Sequence, residues 1–331
     1  MIDVLFITLD DNANTGWRFF KCAQMLGLKV MGFKGVYHPF LYPEQFLLHP
    51  ELAKSWKLRR ETVVKLEGKS ELQAMMEHAR IIHFIASTCI FTELNLLSKP
   101  VVMQHGGRTY RSNPKQLNEL FNQFCDAAII QCPDLLNLGA RNEKLIYYPV
   151  DTNFIQPSFG RAGKKLVIGH FPSQPTEKGY EAVQRVIARL REVTDKFEFR
   201  TIRLDGGKLI WLDALDRTND CDLIIDVFAA KTAAGLKYGT WGNASIEAAA
   251  LGKVVVTMSL YEDIYKEEYG DCALNITNTE EKLLEVLSKF IEMPHAELYK
   301  EKERTRAWVE EKHSMEATAI RLLPIYKNIV S

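Results

Sequence analysis

The sequence carries no excess of charge of either sign, since 42 lysines and arginines balance 42 aspartates and glutamates. No global field therefore steers it towards nucleic acid or a membrane, which argues against a nucleic-acid partner. Its six cysteines, Cys22, Cys89, Cys125, Cys132, Cys221 and Cys272, include no C-x-x-C pair. Most lie in apolar runs such as STCIF and CDLII, so zinc and disulfide spacing are both lacking and the thiols read as reduced core residues of a cytoplasmic protein. The start, MIDVLFITLDDN, has no basic segment ahead of its apolar run and suits a first strand better than a signal peptide. No run of about 18 apolar residues is long enough to span a bilayer. There is no internal repeat and no low-complexity segment. What is present is ordinary for a soluble globular protein, with 47% hydrophobic and 25% charged residues. A chain of 331 residues suggests about two domains.

Short β-branched runs alternate with amphipathic segments. Strands are expected at 3–9, 28–33, 80–86, 100–105, 126–131 and 144–148, with helices in GWRFFKCAQMLG and PKQLNELFNQFC between them. The stretch YYPVDTNFIQPSFGRAGKK, rich in proline and glycine, interrupts the pattern as a linker. Alternation then resumes with strands at 165–171, 197–204, 221–228 and 253–257 and helices at 179–193, 208–217 and 243–251. Strands alternating with helices imply βαβ units and parallel sheets. Two doubly wound α/β domains facing a cleft are expected, followed by a helical tail from about residue 279 that Pro324 should kink. The aromatic, proline-punctuated segment 35–60 reads as a surface helix-turn insertion, or more sharply as a patch for an acceptor or an anionic surface.

In open α/β sheets ligands bind beyond the carboxyl ends of the strands, where a helix N-terminus favours phosphate. Four segments occupy such positions. In TLDDNANTGW, Asn14 or Thr15 can cap a helix starting near Gly16, and the Asp10–Asp11 pair reads as a solvated loop. In VVMQHGGRTYR, His105 ends a strand beside two glycines, with Arg108 and Arg111 adding positive charge. In IGHFPSQPTEKGYEAV, a loop containing Ser173 leads to Lys178 at a helix start, where an ammonium can meet an anion. In YGTWGNASIEAAALGKVVVT, Gly242, Asn243, Ala244 and Ser245 open a helix whose N–H groups can cradle phosphate. Glu247, one turn deeper and next to a packed core, is expensive unless paired. Two hydroxyls of a vicinal diol would offset that cost.

In this order the segments HGGRTYR, YYPVDTNFIQP, HFPSQPTEKG and YGTWGNASIEAAALGKVVV resemble retaining glycosyltransferases of the GT-B fold, family-4 type, over nearly the whole chain. The resemblance implies an acceptor domain over 1–150 completed by a C-terminal helix at about 315–331, a linker at 151–163, and a nucleotide-sugar-binding domain over 164–314. It implies that Lys178 neutralises the donor diphosphate, that Glu247 grips the ribose, that His105 faces the transferred sugar and that Gly16 admits the diphosphate. Ser173 and residues 242–245 would complete the donor site. The implied reaction moves a sugar from a UDP- or GDP-sugar to a glycan, lipid-linked or other hydroxyl acceptor, with retention and with no metal or further cofactor. Glycan or polysaccharide biosynthesis in the cytoplasm is expected, with peripheral contact at a membrane's inner face.

Two positions depart from the family pattern. The first glutamate of its E-x7-E motif falls on Gly239, and the arginine of its phosphate loop is replaced by His170, so Arg108 or Arg111 would have to supply that charge. These departures keep open a catalytically silent nucleotide-sugar-binding or scaffold protein. A nucleotide-sugar epimerase on the same fold is the third reading.

Overall fold

Every strand pair in the two large sheets is parallel. A computed structural model describes residues 1–59, 63–65, 71–85, 89–91, 98–159, 165–201 and 210–330. The chain divides into two compact units, the first comprising Met1–Pro149 with the terminal residues from Met315, the second comprising Val150–Ser314.

The first unit runs through Ile2–Asp10 (β1), Thr15–Met25 (α1), Val30–Val36 (β2), Leu47–Leu48 (β3), Pro50–Arg59 (α2), Val63–Lys65 (β4) and Glu71–His78 (α3). It continues with Ala79–Ile85 (β5), Cys89–Phe91 (β6), Val101–His105 (β7), Gly107–Ser112 (α4), Pro114–Phe121 (α5), Ala127–Ile130 (β8) and Glu143–Leu145 (β9). Its seven-stranded sheet has the order β3-β2-β1-β5-β7-β8-β9, while β4 and β6 pair separately. The second unit holds Leu166–His170 (β10), Pro175–Lys178 (α6), Tyr180–Val193 (α7), Phe197–Thr201 (β11), Trp211–Asn219 (α8) and Leu223–Ile225 (β12). Asn243–Ala250 (α9), Val254–Thr257 (β13), Glu262–Tyr269 (α10), Asn275–Ile276 (β14), Glu280–Glu292 (α11) and His295–His313 (α12) follow, in a sheet ordered β11-β10-β12-β13-β14. No helix of the described residues is long and apolar enough to cross a membrane.

The strand order explains the sequence pattern. A central parallel strand covered on both faces needs apolar side chains on both, and so reads as an unbroken β-branched run. Val4 to Ile7, Val101 to Met103 and Val254 to Val256 are all buried. The last helix, Met315–Val330 (α13), belongs to the first unit. Met315, Ala319, Leu322 and Tyr326 recur at helical spacing and bury one stripe against Phe19, Cys22 and Ala23 of α1. The Tyr326 hydroxyl also meets His83 Nδ1 at 2.8 Å. Pro324 lies on the exposed side of α13, and the helix continues past it to Val330.

Several expectations need correction. The strand expected at 221–228 is only Leu223–Ile225 long, although the N–H groups of Asp222 and Asp226 on either side still bond to Val167 O and Val256 O. Asp222 accepts from Val167 N and from Lys302 Nζ, and Asp226 has the partners described below. Residues 202–204 of another expected strand, residues 208 and 209 of a helix, residue 86 and residues 160–163 of the linker lie outside the described residues. Segment 35–60, with residue 60 outside the described residues, contributes core as well as surface. Phe46 is buried, stacks on Phe6 and meets Phe20 and Trp17 edge-on. The segment's aromatic content is thus partly a packing requirement.

Residues 151–159 are fastened to the second unit by buried cations. Arg306 donates to the carbonyls of Thr152, Ile155 and Ala250. Lys253 donates to Ser158 O and Asn219 O, and Lys302 to Phe159 O.

Candidate functional site

The loops leaving the carboxyl ends of β10 and β12 bring Lys178, Asp226 and the start of α9 together. Gly179 follows Lys178 with φ of +75°, and a Cβ there would stand 1.9 Å from the Phe228 carbonyl oxygen. Only glycine permits that approach, and the Phe228 N–H donates to Lys178 O at 3.0 Å. Lys178 is thereby pressed against the chain leaving β12. Its ammonium lies 2.6 Å from Asp226 Oδ1, with side-chain exposures of 17% and 4%. Asp226 Oδ2 accepts from Ser245 Oγ at 2.7 Å and from Gly242 N at 3.4 Å. Burial alone would raise the Asp226 carboxyl, but the Lys178 charge and the hydrogen bonds from Lys178, Ser245 and Gly242 outweigh it and hold the group below its ordinary value. Three of the residues the sequence singles out thus converge on a fourth that it does not. The available signal was the lone acid in the apolar run LIIDVF.

Glu247, one turn into α9, is half-buried and accepts the indole N–H of Trp211 at 3.0 Å. Its cost is met partly from within the protein. It lines a pocket of about 70 Å³ together with His170, Phe171, Leu215, Asp226 and Ala244. Ala244 and Ser173 are exposed and Asn243 is half-buried. A shallow depression of about 400 Å³ lies elsewhere, over α5, and holds none of the expected site residues.

The two departures have physical causes. His170 is fully buried, and its Nδ1 lies 2.9 Å from Ile225 O. A carbonyl only accepts, so Nδ1 carries the proton and Nε2 is a lone-pair acceptor, which has no partner in the structure. Burial lowers the ring to about 4, so it is neutral near pH 7 and does not replace an arginine's charge. Gly239 has φ of +74°, and a Cβ there would meet Leu260 Cγ at 2.6 Å. A glutamate does not fit at that position without displacing Leu260.

Two exposed lysines lie on the hairpin that follows β12. Lys231 and Lys237 face each other across a small hairpin as a pair flanked by the Thr232 to Leu236 and Tyr238 to Ala230 hydrogen bonds, the closer kind of antiparallel pairing. Ala233 N ties the hairpin to Glu177, next to Lys178. Lys253, the lysine of the LGK sequence, sits at the opposite end of α9 with its carbonyl partners. Burial and neighbouring Lys302 lower it to about 8. It is a structural lysine.

In the first unit, the helix cap differs from the expectation. Asp11, 1% exposed, accepts from Gly16 N at 2.7 Å and Trp17 N at 2.9 Å. Asn14 makes no cap bond and has a left-handed backbone. Asp11 is therefore a buried cap for α1 and no solvated loop residue, and the N–H of Gly16 is already committed to it. A Cβ on Gly16 would also stand 2.3 Å from Ile85 Cδ1. Burial raises Asp11 to about 6, against the pull of its two backbone hydrogen bonds.

His105 is buried at the end of β7 and stacks on Tyr110 with centroids 4.0 Å apart. Burial lowers it to about 3, so it is a neutral ring near pH 7. Arg111 Nε lies 2.5 Å from Asp134 Oδ2, with exposures of 10% and 0%. Burial works against the guanidinium charge, but the hydrogen bond and charge of Asp134 overcome it and tighten its hold on its proton. Arg108, by contrast, is exposed.

No family model matches the chain, and no curated protein matches it in sequence. Solved structures do match in fold. HepE of Anabaena, crystallised with UDP and glucose, superposes with a TM-score of 0.63 at 13% identity, covering 99% of this chain and 100% of that one. Sucrose-phosphate synthase from Thermosynechococcus elongatus gives 0.60 at 11% identity, covering 99% of each chain. The UDP-forming α,α-trehalose-phosphate synthase from Burkholderia vietnamiensis gives 0.58 at 11%, covering 99% of this chain and 98% of that one. The chain therefore has the α/β fold of the GT-B glycosyltransferases.

Proposed function

We propose that the protein is a glycosyltransferase that moves a sugar from a UDP- or GDP-sugar to an acceptor hydroxyl in glycan biosynthesis. The observation that carries this reading is the meeting of Lys178 Nζ, Ser245 Oγ and the N–H at the start of α9 on a single carboxylate. An ammonium, a hydroxyl and a helix N-terminus aimed at one point form a set of donors suited to phosphate oxygens. Glu247 lies one turn deeper and suits the hydroxyls of a ribose. The fold adds support, because structures sharing it hold UDP with glucose and UDP-glucose.

In this reading residues 151–163 link an acceptor domain over 1–150, completed by α13, to a donor domain over 164–314. Lys178, Gly242, Asn243, Ala244 and Ser245 hold the diphosphate, and Ser173 borders it. Donors already in place as charge develops on the leaving diphosphate lower the barrier without reorganisation. Arg108, the exposed arginine of α4, is the better candidate for further positive charge, since Arg111 is committed to Asp134. His105 would shape the sugar site as a neutral ring, while the space beside Gly16 is filled by Ile85, so Gly16 would serve the diphosphate only through its place at the start of α1. Transfer with retention, without metal and with the departing phosphate as base is part of the proposal, as is work in the cytoplasm or at a membrane's inner face.

A thermal-shift screen with UDP, GDP, ADP and their sugars tests the reading, because a ligand bound only to the native state raises apparent stability. One nucleotide class should stabilise the protein, and Lys178→Ala and Glu247→Ala should each remove the effect and donor turnover. Unchanged binding and turnover in both variants would refute the assignment. The excluded side chain at Gly239 favours a second reading, a nucleotide-sugar-binding protein without transfer. Donor hydrolysis or transfer by the purified protein would dismiss it.

A further inference from the structure

The donors assigned to the diphosphate already hold an anionic group. Lys178 Nζ, Ser245 Oγ and Gly242 N all point at Asp226. The Lys178 charge is balanced by a buried partner, and neutral His170 beside them adds none. A diphosphate arriving at this spot would either take these donors from Asp226 or sit against an ionised carboxylate. Like charges a few ångströms apart in a partly buried site repel strongly. The backbone of Asp226 is held by its N–H bond to Val256 O at 3.0 Å, so the carboxylate can turn about its own side-chain bonds while the strand stays in place.

We propose that Asp226 is a place-holder, a carboxylate that occupies the diphosphate site of the ligand-free protein and gives up Lys178 and the start of α9 when a nucleoside diphosphate binds. The inference rests on the donor-site reading above. Asp226 keeps the partly buried ammonium of Lys178 paired between turnovers. It also limits affinity for the diphosphate left after transfer, because the carboxylate retakes Lys178 as that product departs. Asp226 is thus a positioning residue that acts through Lys178, and its removal should tighten binding.

Calorimetry on the full chain and on Asp226→Asn, with UDP, GDP and ADP and with the matching nucleosides, tests this. The diphosphate that binds the native protein should bind the variant about tenfold more tightly or better, while its nucleoside changes by less than about twofold. Equal or weaker diphosphate binding by a variant with native circular dichroism would overturn the inference. So would equal tightening of the nucleoside. If the native protein binds no nucleotide, the donor-site reading itself fails, which is a different result. Should the variant not fold, a crystal structure of the native protein with the bound diphosphate decides the matter. The Lys178 to Asp226 contact should open beyond about 4 Å, the limit of an ion pair, and an intact contact at 2.6 Å would overturn the proposal.

Discussion

Trp211 donates its indole N–H to Glu247 Oε1 at 3.0 Å, so the carboxylate of α9 is already oriented by a residue of α8. If Glu247 takes two ribose hydroxyls, Glu247→Ala should weaken nucleotide binding by about a hundredfold or more, since hydrogen bonds to a charged group are worth about 1.5–3 kcal/mol each. Trp211→Phe, which removes only the orienting bond, should cost roughly two- to fivefold. Calorimetry with nucleotides and their 2′,3′-dideoxy forms checks this, because the dideoxy ligand should be insensitive to Glu247→Ala.

Arg111→Met should lower stability more than it lowers nucleotide affinity. The substitution removes the cation that faces Asp134, whose side chain has no exposed surface. Breaking a buried pair from one side costs about 3–5 kcal/mol. Urea unfolding should show that loss. A large drop in nucleotide affinity with unchanged stability would return Arg111 to the binding machinery.

The pH dependence of stability should carry the signature of Asp11. Its folded value of about 6 lies above the ordinary 3.8, so the folded chain holds this proton more tightly than the unfolded chain. Its contribution is fully present below about pH 3.8 and is lost as pH rises through about 6. The stability of the native protein relative to Asp11→Asn should therefore fall between about pH 4 and 6, by about 2–3 kcal/mol. Unfolding curves for both proteins across that range measure it, and a flat difference would contradict the assignment.

His170 makes the opposite prediction for binding. With the ring at about 4, affinity for an intact nucleotide-sugar should stay level between pH 8 and about 6. A histidine with an ordinary value near 6.5, acting as the cation of the phosphate site, would make binding climb over that range. Calorimetry at three pH values separates the two.

Gly239→Glu should not restore the carboxylate that the related sequence motif carries there. The left-handed backbone costs an L-residue about 1–2 kcal/mol, and the new Cβ meets Leu260 at 2.6 Å. The variant should melt at a lower temperature and show no gain in donor affinity. Gly239→Ala should share much of the stability loss, since it has the same backbone cost and the same Cβ contact with Leu260 and lacks only the carboxylate.

The long strands were legible because a parallel strand buried on both faces advertises itself as a β-branched run. Two-residue strands such as Leu47–Leu48 and Asn275–Ile276 are too short to show a period. Lys178 and Ser245 stood out because helix starts beyond strand ends have local signals. Asp226 did not, since its partners lie 48 and 19 residues away and nothing periodic joins them. The Asp11 cap was misread for a similar reason. It reaches Gly16 and Trp17, five and six residues on, across a left-handed turn that a simple capping pattern does not anticipate. The pairing of Arg111 with Asp134 likewise spans 23 residues.

Val150 and Ser314, where the chain enters and leaves the second unit, pair as a parallel bridge, and Val150 N donates to His313 O at 2.9 Å. Entry and exit side by side make residues 150–314 a cassette spliced between residue 149 and α13. Such a module can be excised with its ends joined by a short loop, or exchanged for another whose ends are equally close. An exchange of such units between proteins of this plan has two adjacent junctions, and α13 stays with the first unit.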